Sequence, residues 1–174
     1  MKSTSNISHK TARLMAEKAT EFIAVLDGIS QDIVKIDFDS PSREEWHYVP
    51  KTRFGLPRNQ MNEQALAAAH RLMACGLSAT GVKKAEQIIK HELILGQIEG
   101  SSSQFLRDPG LYFFNVFGDP FENSPWGWRV EGHHLSLNYT LANGNLISTT
   151  PSFFGANPAE VKEGLSRGLR ILKS

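Results

Sequence analysis

One cysteine stands among 174 residues, Cys75. An intrachain disulfide framework is therefore excluded, and so is a cysteine-rich zinc site. Cys75 lies in HRLMACGLS at an expected helix end, where it reads as a small buried hydrophobe rather than a reactive thiol. An excess of one charge is lacking too: Lys+Arg number 19 against Asp+Glu 18, a net charge of +1. So weak a field recruits neither nucleic acid nor an anionic membrane, and the basic residues form no cluster with interleaved aromatics. Long hydrophobic runs are also missing. No stretch approaches the roughly 18 apolar residues of a membrane span, and the opening MKSTSNISHKTARLMAEKAT has no apolar core of signal-peptide length. The expectation is a cytoplasmic chain. The Gly-rich phosphate loop, the GxSxG elbow and the CxxC pair are absent as well.

Hydrophobic residues make up 40% and charged residues 21%, enough for a real core in a single domain over 1–174. The stretch up to Leu26 reads as a helix with Leu14, Ala19, Phe22, Ile23 and Leu26 on its stripe and Gly28 ending it. DIVKIDF, from Asp32 to Phe38, reads as a strand. Pro41, Pro50 and Pro57 forbid a long regular element in the polar, aromatic stretch that follows.

A helical hairpin spans about 59–100, with Gly76 at the C′ position of its first helix and Ser78 capping the second. The second helix is expected to bury Val82, Ala85, Ile88, Ile89, Leu93 and Ile98. An antiparallel meander occupies about 111–150, with a turn over PFENSPWG and a tight hairpin at Asn143-Gly144. Asn157 as N-cap, Pro158 at N1 and Glu160 at N3 predict a C-terminal helix. Segregated helices and strands make this an α+β fold, the meander packed with the hairpin and with flanking N- and C-terminal helices.

WRVEGHHLSLNYTL reads as one long strand, in which side chains alternate between faces. A regular strand mixes polar and apolar residues on both faces. A bulge near Gly132 sorts them. Trp128 and Val130 then join His133, Leu135, Leu137 and Tyr139 on a core face, and Arg129, Glu131, His134, Ser136, Asn138 and Thr140 form a polar row. Glu131 and His134 on one face offer metal ligands or a general base with its orienting carboxylate. Arg129 offers a clamp for a carboxylate or phosphate. The bland alternative is an Arg129–Glu131 pair with His134 in solvent, and the spacing matches neither HExxH nor a close HxH. Trp46, His47 and Tyr48 wall a pocket or anchor a loop. His70 reads as a boundary residue and His91 as solvated.

WHYVP, GLP, GLS, RDPGLYFFNVFGDP, WGWRVEGHHLSLN and STTPSFFGANPAEV together resemble the domain of unknown function 3500 family, from about Ile33 to the C-terminus. The resemblance implies no settled activity. It implies longer proteins, whose second half carries its own histidine-bearing strand and is absent from this chain. Matching the family's motifs residue by residue, it carries over Trp46, His47, Arg53, Trp126, Trp128, Arg129, Glu131, His133, His134, Ser136 and Asn138.

Two expectations follow. One is a metal-dependent enzyme domain, hydrolytic or oxidative, acting on a small polar molecule. Glu131, His134 and Arg129 are its catalytic groups, and Glu131, His133 and His134 hold a divalent transition metal, zinc or iron. Trp46, His47, Arg53, Trp126, Trp128, Ser136 and Asn138 bind substrate. The other is a non-catalytic half-domain that pairs with a copy of itself or with a partner supplying the missing second half.

Overall fold

Asn62 and Ser78 sit just before apolar helical repeats, and each uses its side-chain oxygen as a cap. Asn62 accepts from Ala65 N–H and Ser78 from Gly81 N–H, satisfying donors that a helix start leaves open. The helices they begin, α3 (Glu63–Cys75) and α4 (Ala79–Glu99), form the expected hairpin in this computed structural model, which describes residues 2–121 and 124–173. Two helices precede them, α1 (Lys2–Ala24) and α2 (Gly28–Val34). Ala12, Met15, Ala19 and Phe22, spaced three or four apart, form the buried stripe of α1. Leu14, expected on that stripe, is 40% exposed. Gly28 opens α2 behind an Asp27 cap instead of ending the first helix. The strand expected over 32–38 shrinks to β1 (Lys35–Ile36), because the cap at Asp27 extends helix through Val34. Gly76 is the C-cap of α3 rather than C′, with φ −93°. Glycine is needed there because a Cβ would stand 2.5 Å from the Tyr139 ring.

The remaining strands are β2 (Leu56–Pro57), β3 (Phe113–Phe117), β4 (Trp126–Gly132), β5 (Leu135–Ala142), β6 (Asn145–Ser148) and β7 (Ser152–Phe154). β3 to β6 form the antiparallel meander. β1 joins one edge of β3 in parallel, β2 pairs antiparallel with the other end of β3, and β7 pairs with the start of β5. Asn143 and Gly144 take φ of 51° and 68°, as the hairpin signal requires. In the expected turn over 120–127, Glu122 and Asn123 lie outside the described residues.

Two further expectations are corrected. The first is the long strand over 126–141. It is a hairpin, β4 and β5, turning on His133 and His134, with Gly132 opposite Leu135 and Val130 opposite Leu137. Residues directly opposite in an antiparallel pair share a face. The turn therefore produces the change of parity that the bulge was invoked to explain, and the sorting of the other residues holds. Gly132 is the last residue of β4, and it is glycine because a Cβ would fall 2.4 Å from the Tyr112 ring.

The second is the C-terminal helix. Residues 155–173 run as turns and bends. Gly164 and Gly168 adopt φ of 72° and 85°, which a right-handed helix does not accommodate. Val161 and Leu169 pair across the fold-back: Val161 N–H donates to Leu169 O at 3.0 Å, and Gly168 N–H to Val161 O at 2.8 Å. The Asn157–Pro158 peptide bond is cis. Val161 and Ile171 are buried.

Trp126, Trp128, Val130, Leu135, Leu137, Tyr139 and Leu141 form the apolar face of the sheet and pack with the helices. Both faces of β4 are nevertheless buried throughout, because the irregular stretch between β1 and β2 covers the polar row. Among the described residues, no helix is long and apolar enough to cross a membrane. Replacing Gly132 by Ala should drive a methyl into the Tyr112 ring and cost about 1–3 kcal/mol, read as a lower urea midpoint at unchanged m-value.

Candidate functional site

The turn between β4 and β5 is held by hydrogen bonds from three segments. The Tyr112 hydroxyl donates to His133 O at 2.7 Å. His134 N–H donates to Tyr48 O at 2.8 Å, and Gly155 N–H to His134 O at 2.7 Å. His134 takes φ 61°, and its ring stacks on that of His133 with centroids 3.9 Å apart. His133 Nδ1 lies 2.6 Å from Glu92 Oε1, and both side chains are buried. Arg107 Nη1 stands farther from the same nitrogen, at 3.3 Å, while its Nε and Nη2 grip Glu99 at 2.8 and 2.9 Å. The short contact to a carboxylate puts the proton on Nδ1 and leaves Nε2 as the free acceptor.

The dyad forms part of the wall of a cavity of about 220 Å³, with Arg53, Gln104, Phe105 and Tyr112 among its other lining residues. His91 stands beside this group and is only 4% exposed, against the expectation of a solvated residue. Burial holds its pKa below the ordinary value, opposed by the nearby backbone of Pro158 and Asn157 and by Glu92. Burial, reinforced by His133, Arg107 and His91, pushes the pKa of His134 down to about 4.

The polar row lies on the other side of β4 from the core. Glu131 sits between two buried guanidiniums, its Oε1 3.6 Å from both Arg53 Nε and Arg129 Nε. Its Oε2 accepts from His47 N–H at 3.2 Å. Arg129 Nη1 donates to Ser42 O and Glu45 O at 3.1 and 2.6 Å. Arg53 donates to the carbonyls of His47, Val49, Lys51 and Gly132. Asn115, opposite Arg129 on β3, faces Phe54 O and Gly55 N at 3.2 Å, so that its nitrogen donates to the first and its oxygen accepts from the second. Asn138 Nδ2 donates to Ser136 Oγ and Pro151 O at 3.0 and 2.8 Å. These residues fasten the 40–57 stretch and the approach to β7 onto the sheet.

The residues picked from the sequence thus divide into groups. Glu131 faces Arg53, Arg129 and His47, whereas His133 faces Glu92. Among the described residues, no three His, Cys, Asp or Glu side chains are grouped so as to hold a metal ion. Trp126 and Trp128 lie in the core, across the sheet from Glu131, and Trp128 stacks on Tyr139 at 4.2 Å. Trp46 is 36% exposed and clusters with Tyr48 and Phe153 at the surface. Glu92, Arg107, Tyr112 and Asn115 were not singled out from the sequence. Glu92 did leave a signal: it falls at helical spacing from Ile88, Ile89 and Leu95, a carboxylate on a buried stripe.

A sequence model of the family described as protein of unknown function (DUF3500) matches residues 8–174. The chain belongs to this family. The match begins 25 residues before Ile33, so the N-terminal helix is part of the shared unit. No curated protein and no solved structure matches the chain.

Glu131→Gln should remove the only carboxylate within ion-pair distance of these two buried cations among the described residues and destabilise the fold by about 3–5 kcal/mol in urea denaturation. His134 supplies a pH dependence. Its native pKa of about 4 lies below the ordinary 6.5, so the unfolded chain takes up the proton first. Its contribution to stability is complete above about pH 6.5 and is lost progressively toward pH 4. Urea midpoints measured across that range should fall further for the wild type than for His134→Asn, which keeps a residue tolerant of positive φ.

Proposed function

We propose that this chain is an enzyme domain that performs proton-transfer chemistry, of the hydrolytic kind, on a small polar molecule bound against the β4–β5 turn. The observation that carries the reading is the 2.6 Å contact between His133 Nδ1 and Glu92 Oε1, both buried, at the wall of the cavity. Glu92 fixes the tautomer and stabilises the imidazolium that forms when Nε2 accepts a proton from water or substrate. Thr52, Gln104 and Asp108 offer polar contacts, and Phe105, Leu111 and Phe113 an apolar wall. In this reading Glu131 and Arg129 are scaffold: with Arg53 they hold Lys51 and Thr52 over the cavity mouth. His134 stays neutral beside His133 and adds no competing charge.

Saturation-transfer NMR against a panel of small esters, amides, alcohols and carboxylic acids identifies ligands of the cavity, and those hits are followed for turnover. His133→Gln should reduce turnover by about 10²–10⁴-fold while the thermal midpoint stays close to wild type. Equal turnover in wild type and variant overturns the proposal, and so does a panel without a single ligand.

A second reading, non-catalytic pairing with another chain, rests on a separate observation. Leu93 and Ile98 of α4, expected to be buried, are 56% and 53% exposed, and Leu165 is fully exposed. Ile98 and Leu165 line a groove of about 520 Å³ between α4 and the C-terminal turns. An apolar surface of this kind suits an interface. Sedimentation analysis of wild type and Leu165→Asp separates a self-associating chain from a monomer.

A further inference from the structure

The two helices of the hairpin do not close completely on each other. Between α3, α4 and the sheet lies a cleft of about 280 Å³. Its floor is apolar and deeply buried: Ala69, Met73, Ile89 and Phe114 are each at most 4% exposed. Its rim is charged. Glu86 lies there but is engaged by His70, whose Nε2 stands 2.7 Å from its Oε1. Arg58 lies there too, near enough to Glu86 and Asp108 to feel their charge but in ion-pair contact with neither. It donates Nη1 to Pro109 O at 3.1 Å and makes no ion pair among the described residues, which leaves Nε and Nη2 open. Burial, opposed by Tyr112, Glu86 and Asp108, holds its pKa below the ordinary value, as for a guanidinium stripped of part of its water. Lys90 on the same rim likewise has no ion-pair partner among the described residues. Asp108 accepts from Asn59 Nδ2 and Gly110 N–H.

From this arrangement we infer that the helical hairpin carries a second binding site, for a small apolar carboxylate: the hydrocarbon on the Ala69–Met73–Ile89–Phe114 floor, the carboxylate on Arg58 with Lys90 nearby. The apolar floor supplies affinity by removing hydrocarbon from water. The guanidinium supplies the preference for an acid, since a charge-assisted pair with a carboxylate is stronger than a bond to a neutral hydroxyl. The site is separate from the His133 cavity and does not rest on the reaction proposed for it.

Octanoate is the probe and 1-octanol its neutral counterpart, titrated calorimetrically into the full chain. Octanoate should bind at least about tenfold more tightly than octanol. Arg58→Gln, which keeps a donor for Pro109 O, should remove most of that preference and leave octanol binding unchanged. Leu66→Trp, which fills the cleft from its half-buried rim, should abolish binding of both. Equal affinities for the two probes overturn the inference. So does octanoate binding that survives Arg58→Gln, or that is lost in His133→Gln, which would place the probe in the other cavity. Absence of octanoate binding in the millimolar range, with all variants melting near wild type, overturns it too.

Discussion

The structure depends on a single carboxylate shared by two buried guanidiniums. Glu131 projects from the non-core face of β4 into a place that water does not reach, with Arg53 and Arg129 on either side of it. Charges buried this way are tolerated only when their remaining donors and acceptors are occupied. Here most occupants are backbone groups of one irregular stretch, the carbonyls of Ser42, Glu45, His47, Val49 and Lys51 and the N–H of His47, joined by Gly132 O of β4, while the two Nε groups face Glu131 at 3.6 Å with no hydrogen-bond partner among the described residues. That stretch contains three prolines and cannot supply its own ladder. The charges and the loop therefore complete each other, and the loop in turn lines the histidine cavity with Lys51, Thr52 and Arg53.

The helix α4 organises the rest. Successive residues turn by about 100° around a helix, so one element can address several surroundings. Glu92 reaches the β4–β5 turn, Glu86 and Ile89 border the cleft against α3, and Ile94 and Ile98 face the groove of the C-terminal turns. Ala85, Ile88 and Leu95 supply its contribution to burial. This division explains why apolar side chains spaced for a single stripe end up split between core and surface.

Legibility followed the range of the interaction. The cap at Ser78 and the Asn143–Gly144 turn are set by residues a few positions apart, and they stood open in the sequence. The polar row Arg129, Glu131, Ser136 and Asn138 was legible because parity survives whether a bulge or a turn changes it. The turn itself was hidden: His-His is not one of the Asn-Gly or Asp-Gly pairs that mark a tight hairpin, and the bonds holding it come from Tyr48, Tyr112 and Gly155, remote in the chain. The partner of His133 was hidden for the same reason, lying 41 residues away on a helix. The absent C-terminal helix shows local capping signals overruled, since Gly164 and Gly168 leave the right-handed region while Val161 and Ile171 find burial.

The three tryptophans occupy surroundings that differ enough to make them built-in optical reporters. Trp128 lies flat against Tyr139 with its indole N–H sealed from solvent and without an acceptor among the described residues, and Trp126 shares the same interior face. Trp46 sits at the surface, on the very loop that the arginines hold down. Emission from the first two follows melting of the sheet, while quenching of the third by a dissolved iodide or acrylamide follows detachment of the loop alone. The molecule thus carries its own means of telling a loosened flap from a lost fold.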